Sequence, residues 1–323
     1  MRLLTLPENF NPNPMKEKYL ILFLICTLLG CSKEKPAEDS NEFPEELVRF
    51  KPYQGNPLFA GTGDSTKWDE KIRERGFILR EDSTYYMWYT GYTEQTGDSI
   101  KYLGLATSTD GIKWNRSSEK PIHNSIWVED MCVVKSDSTY YMFAESRGDT
   151  AHLLTSQDKV KWTDEGALDV RLKNGQPIGK GPYGTPAVWK EAGIWYLFYE
   201  RNDTGVWLAT SSDLKIWTNV QDEPVLKMGP EKYDQFAVAM NQVIKYNGLY
   251  YGYYHASAFK DWREWSTNVA VSKDLIHWKK YPKNPILGNN KSSGILVNDG
   301  SQFRMYTMHP EVNVYYPSLD SAR

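Results

Sequence analysis

Apolar and polar residues alternate over five separated stretches of the chain, each broken by a short turn: "GFILREDSTYYMWYTG", "MCVVKSDSTYYMFAES", "AVWKEAGIWYLFYER", "QVIKYNGLYYGYYHAS" and "ILVNDGSQFRMYTMHP". A period of two, rich in Tyr, Trp, Phe and Val and interrupted by Asp-Ser, Asn-Gly or Asp-Gly, predicts β-hairpins. Each of the first four hairpins is followed by a second repeated element, a strand, a Ser-Asp turn and a Trp: "ATSTDGIKWNR", "LTSQDKVKWTDEG", "ATSSDLKIWTNV" and "AVSKDLIHWKKY". The Trp residues are Trp114, Trp162, Trp217 and Trp278, spaced 48, 55 and 61 apart. A Pro followed by an aliphatic residue recurs in step with them, at Pro57-Leu58, Pro121-Ile122, Pro177-Ile178, Pro224-Val225 and Pro285-Ile286. Five units of four strands at this period predict an all-β chain, folded as a five-bladed β-propeller of four-stranded antiparallel blades. The fifth unit ends without its own Trp strand, so the segment around Phe50–Phe59 is expected to complete that blade.

Composition agrees, since 12 Trp and 22 Tyr in 323 residues suit many aromatic strands rather than a lipid-embedded bundle. A net charge of −3 leaves no basic footprint, which argues against nucleic acid as a partner. The N-terminal "MKEKYLILFLICTLLGC" has a charged start, an apolar run too short to span a bilayer, and a small residue before Cys31. It resembles a bacterial lipoprotein signal, in which Leu28-Leu29-Gly30-Cys31 is the lipobox and Cys31 the lipidated residue. The chain then divides into a signal peptide, 1–31, with 1–14 an extension upstream of a natural start at Met15, a flexible tether, 32–46, and the propeller, 47–323. This predicts a cell-envelope protein that meets the membrane only through its lipid anchor. With Cys26 removed and Cys31 acylated, Cys132 has no disulfide partner.

Candidate chemistry is sought where blades converge. Alignment of the hairpins on their aromatic pairs brings Thr90, Glu145, Glu200 and His255 to one position, with Met308 and His309 in the fifth unit. The first strands contribute a second ring, Arg75, Asp130, Thr185, Met240 and Ser293, preceded by Glu74, Glu129, Gly184, Ala239 and Ser292. Asp69 and Asp234 lie just upstream of two of these strands. Carboxylates facing a shared cleft are the machinery of glycosidic bond cleavage, where one protonates the leaving oxygen and another activates water. Arg73, Arg75, Arg147 and Arg201 flank these positions, and a planar guanidinium fork suits a carboxylate or sulfate on the substrate. Trp127, Tyr183 and Trp262 offer faces for sugar rings. The five His residues show no metal-ligand spacing, and there is no glycine-rich phosphate loop. No cofactor is called for, a single structural ion in the central channel is left open, and oligomeric state is not legible.

The segments "GTPAVWKEAGIWYLFYERND", "WVEDMCVVKSDSTYYMFAES" and "LATSSDLKIW" resemble blades of the five-bladed glycoside hydrolases of families 43, 32, 117 and 130, over roughly Phe50 to the C-terminus. The resemblance implies an Asp base in blade one, an orienting Asp in blade two and a Glu acid on the first strand of blade three. Asp69 and Asp130 match the first two. Gly184 stands where the third belongs, so the acid is expected at Glu200 or at His255, since family 117 is similar in replacing the acid Glu by a His; His255 is preferred because imidazole titrates near neutral pH with little tuning. The "VED" at 128–130 also resembles the mannoside phosphorylases of family 130. The implied function is an exo-acting, inverting glycoside hydrolase that removes a terminal sugar from an oligosaccharide, with an acidic or sulfated one suggested by the arginines. A non-catalytic sugar-binding propeller, a polysaccharide lyase and a glycoside phosphorylase are the alternatives.

Overall fold

A computed structural model describes residues 42–96 and 99–319; Cys31, the signal and residues 32–41 of the tether lie outside them, while 42–46 lie inside and lead into the short helix Glu45–Val48, so the expected boundary at 47 falls within that helix. The described chain is almost entirely β and forms five sheets arranged as the five blades of a propeller, antiparallel except where the added strand Asp169–Arg171 runs parallel to Ile216–Asn219. Blade one is Lys71–Glu81, Thr84–Tyr92, Tyr102–Ser108 and Asn115–Arg116; blade two is Glu129–Ser136, Thr139–Ser146, Thr150–Ser156 and Thr163–Ala167. Blade three, built on Gly184–Glu191, Ile194–Glu200, Gly205–Ser211 and Ile216–Asn219, carries two extra short strands, Asp169–Arg171 and Leu226–Lys227. Blade four is Ala237–Tyr246, Leu249–Ser257, Ser266–Ser272 and Trp278–Lys280.

Blade five is closed from the far end of the chain. Its inner strands, Ile295–Asn298, Phe303–Thr307 and Asn313–Pro317, receive Phe50–Pro52 as the outer one, with Phe50 opposite Pro317. Leu58 N–H then donates to Val312 O at 2.7 Å, as Ile122 does to Leu103 O, Val225 to Val206 O and Ile286 to Thr267 O. The recurring Pro-aliphatic pair is thus the point where the chain leaves an outer strand and ties itself to the third strand of that blade. Pro177-Ile178 departs from the pattern, its Ile178 N–H meeting Val170 O on the added strand.

The Ser-Asp-Trp repeat has a structural reason in every blade where it occurs. Asp110, Asp158, Asp213 and Asp274 each accept two backbone N–H groups two and three residues on, while Ser108, Ser156, Ser211 and Ser272 bond both the Asp and the returning backbone. These short side chains replace the missing ladder at the turn. Gly111, Lys159, Leu214 and Leu275 take left-handed φ of 66–71° in the same turn. The turn then delivers Trp to the seam between blades. Trp162 packs edge-on against Trp88 of blade one, Trp217 against Phe143 of blade two, Trp278 against Phe198 of blade three, and Trp114 against Tyr306 of blade five. Truncating a buried aromatic of this kind costs about 3–5 kcal/mol, so the repeat holds blade to blade.

Cys132 is a buried free thiol. No helix among the described residues is long and apolar enough to cross a membrane.

Candidate active site

The first strands surround the axis, and a bulge in four of them decides which side chains reach it. Pairing slips between Glu129 and Cys132 in blade two, between Gly184 and Ala187 in blade three, and between Met240 and Gln242 in blade four. Asp130 and Thr185 occupy these bulges with φ of 46° and 45°, a left-handed conformation that re-aims a side chain. Blade one slips further, between Arg73 and Phe77. The register therefore sets Arg73, Glu129, Gly184 and Ala239 opposite Thr90, Glu145, Glu200 and His255.

A cavity of about 410 Å³ is lined by residues of all five blades, which places it on the axis. Of the residues expected to act on substrate, Asp130, Glu145, Glu200, His255, His309, Arg73 and Trp127 line it. Glu129, Asp149, Asp203 and Trp265 join them, and Trp262, one of the three aromatics offered as sugar platforms, does as well. Among the described residues of this lining, Arg73 is the one Arg or Lys, facing six carboxyl groups.

Gly184 explains how the carboxyls pack. A Cβ at this position would lie 2.2 Å from Glu145 Oε2 and 3.0 Å from Glu200 Oε1. The glycine is where two glutamates from the second strands of blades two and three close over a first strand, filling the space that an acidic side chain on that strand would take. Thr185 N–H donates to Glu145 Oε2 at 2.7 Å and its hydroxyl at 3.2 Å, while Gly184 N–H and Asp203 N–H each hold one oxygen of Glu200, at 3.2 and 2.6 Å. Burial, reinforced by the Asp130 and Glu129 carboxylates, drives Glu145 well above the usual carboxylate range. Burial also raises Glu200, against the pull of the two N–H donors. Gly184→Ala is expected to fold, because the strand geometry is ordinary, but to push both glutamates aside and lower turnover by about tenfold to 100-fold. Circular dichroism beside a rate measurement checks both halves.

The surroundings of His255 do not suit the acid's part. Burial, helped by the charges of Arg75 and His309, pushes its pKa down to about 3. Its Nδ1 meets Asn241 Oδ1 at 2.7 Å, which puts the ring proton there, and the edge-on Trp265 stacks at 5.0 Å. A ring held neutral in this way keeps its one proton on Nδ1, engaged by Asn241, and leaves Nε2 as an acceptor.

Five expected site residues lie elsewhere. Asp69 borders a separate pocket on blade one, where its Oδ2 accepts Arg116 Nε at 2.6 Å and Tyr89 OH at 3.0 Å, so it braces that blade and does not face the axial carboxyls. Asp234 sits in the short 3-10 turn Lys232–Asp234, buried against Lys280 Nζ at 2.5 Å. Arg201 spends its donors on the carbonyls of Gly179, Lys180 and Pro182, holding that loop instead of a substrate. Arg147 reaches Ser99 O and lies over the Trp127 ring, 5.7 Å from its centroid. Trp127 is further covered by Lys101 at 5.1 Å.

Arg75 is the largest departure. Fully buried, its Nη1 donates to Met240 O at 2.8 Å and Asn241 O at 2.7 Å, and its Nη2 to Asp130 O and, at 2.7 Å, to Pro186 O. One guanidinium from blade one thereby ties the first strands of blades two, three and four and plugs the axis.

No protein-family model matches this chain. It is 28% identical over 228 residues, 65% of its length and 73% of the relative's, to a 1,2-β-oligomannan phosphorylase from Thermoanaerobacter sp. (strain X514). Its fold is shared with a glycosyl hydrolase from Bacteroides ovatus, at 16% identity and TM-score 0.65 over 85% of this chain and 94% of that one. It is shared also with a structure from the GH130 family of mannoside phosphorylases, described as containing glycoside hydrolases that target β-1,2 mannosidic linkages in Candida mannan, at 16% identity and TM-score 0.64 over 84% and 95%. The propeller is thus the one common to these glycoside hydrolases and phosphorylases, as the resemblance in sequence implied.

Proposed function

We propose that the axial cavity hydrolyses a glycosidic bond at the end of a neutral oligosaccharide, with a β-1,2-linked manno-oligosaccharide as the first substrate to test. The observation that carries this reading is the convergence of Asp130, Glu145 and Glu200 from adjacent blades in one cavity. The sugar class comes from the oligomannan phosphorylase relative and the GH130 structure. The expectation of an acidic or sulfated substrate loses its support, since it rested on four arginines of which only Arg73 lines the cavity.

In this reading Glu145, kept protonated, donates to the leaving oxygen. An inverting acid and base stand roughly 6.5–9.5 Å apart, farther than two oxygens lying 2.2 and 3.0 Å from one point on Gly184. Glu145 and Glu200 therefore stand together on one side of the bond. Asp130, whose Oδ1 accepts the Arg75 N–H at 3.3 Å, is the carboxylate that activates water. Phosphorolysis, the activity of the oligomannan relative, is the second reading. Against it, a phosphate dianion entering beside six carboxyl groups and one Arg meets repulsion in a site of low dielectric.

Product analysis separates the two. Incubation with β-1,2-mannobiose is expected to yield free mannose of inverted configuration at a rate indifferent to inorganic phosphate. Mannose 1-phosphate formed only when phosphate is present overturns the hydrolytic reading, and a retained anomer removes Asp130 from the role of base.

A further inference from the structure

We infer that Trp262 forms an aromatic subsite that stacks the second sugar ring of the substrate, the one beyond the ring held by the axial carboxyls; this rests on the hydrolytic reading only for the direction of the chain. Trp262 lines the axial cavity yet is 47% exposed, one of the few large hydrophobic side chains left open to solvent among the described residues. Its backbone takes φ 53°, a conformation that a bulky residue adopts at a cost and that persists where the surroundings enforce it.

The enforcement is visible. Trp262 N–H bonds Phe259 O at 3.0 Å, Phe259 N–H bonds Ser257 Oγ at 3.1 Å, and Trp265 N–H bonds Asn290 Oδ1 at 3.1 Å. The intervening charged residues turn away, since Arg263 pairs with Asp261 at 3.2 Å and stacks on Phe259, and all three border a pocket on the other side of the loop. Trp262 is left leaning on Trp265, 6.4 Å between ring centroids at 40°, and Trp265 stands edge-on against His255. An indole backed by a second indole and a neutral imidazole is a rigid apolar wall rising from a carboxyl-lined floor. A sugar ring offers the matching pair of surfaces, hydroxyls at its edge and C–H groups on its face. Of the other two cavity indoles, Trp127 has cations over its ring and Trp265 is half-buried between Trp262 and His255, so Trp262 is the open platform.

The test measures binding, so it stays readable even if the hydrolytic reading fails. In a Glu145→Gln background, intrinsic fluorescence or calorimetry is used to titrate mannose, β-1,2-mannobiose and β-1,2-mannotriose into protein carrying Trp262, Trp262→Ala or Trp262→Tyr. Trp262→Ala is expected to lose about tenfold in affinity for the two oligosaccharides, equivalent to about 1.4 kcal/mol, while mannose binding is unchanged and Trp262→Tyr retains most of the gain. Equal losses for mannose and mannobiose, no loss for either, or no oligosaccharide binding better than mannose overturns the inference. A disaccharide that binds with this dependence but is not cleaved by the unmutated protein sinks the hydrolytic reading alone.

Discussion

Glu145→Gln is expected to slow glycosidic cleavage by about 1,000-fold, within the range for loss of a positioned acid, and at the same time to raise the melting temperature. The two effects share one cause. Glu145 is a buried carboxyl whose proton is held by burial and by the charges of Asp130 and Glu129, and an acid that resists ionisation is what a leaving oxygen needs. The same resistance opposes folding wherever the unfolded chain prefers the ionised form. Its folded pKa is raised, so its contribution to stability is complete below the ordinary carboxylate value and declines as pH rises through the higher folded one. Glutamine keeps a carbonyl for the N–H of Thr185 and removes the titration. The stability difference between variant and parent should therefore widen from acid to neutral pH, and the parent's rate should fall as pH rises past the folded value. Thermal melts across that window and a rate profile on the same preparations test this. A variant that is inactive but no more stable at neutral pH would mean that Glu145 is ionised in the folded protein.

Arg75→Met is expected to cost about 4 kcal/mol or more, because four carbonyl oxygens lose their donor in a site that water does not reach. For a domain of this size that corresponds to a fall of roughly 10 °C in melting temperature. Methionine fills most of the volume, so the loss reports hydrogen bonds and not a cavity. Arg75→Lys should rescue little, since an ammonium presents its donors from one atom and cannot serve carbonyls from three blades. A thermal melt of both variants decides it; near-parental stability of Arg75→Met would mean that the axial carbonyls find water or one another.

The repeats that were legible as units in the sequence are the ones whose side chains act within a few residues. Ser-Asp turns and the Trp that follows them are local, so they marked four blades faithfully, the five Pro-aliphatic pairs and five hairpins gave the count of five, and the missing fifth Trp pointed to the closing segment near Phe50. The ring of Thr90, Glu145, Glu200 and His255 was also readable, because the second strand is continuous in every blade and its aromatic pair fixes the count. The first-strand ring was not. Blade one holds a longer irregularity between Arg73 and Phe77 than its neighbours hold, so counting from the aromatic pair matched Arg75 to Asp130 when the ladder matches Arg73 to Glu129. Asp69, Asp234 and Arg201 failed for a different reason. Each is near a strand end in sequence, but the path of its loop turns it to the flank of a blade or into the loop itself, and nothing local encodes that path. Gly184 read as a lost acid because its neighbours in space come from the second strands of two blades.

The pairing of Phe50 with Pro317 joins residues from the two ends of the propeller. Local hairpins can form as soon as their own residues are available, but the closing contact has among the longest sequence separations in the fold, and loop closure of that length is slow. Until Asn313–Pro317 is in place, the strand Phe50–Pro52 has no ladder to join and the edge of blade five stays open to other chains. The axial cavity is lined from all five blades, so its carboxyls are brought together in full only when this pairing is made.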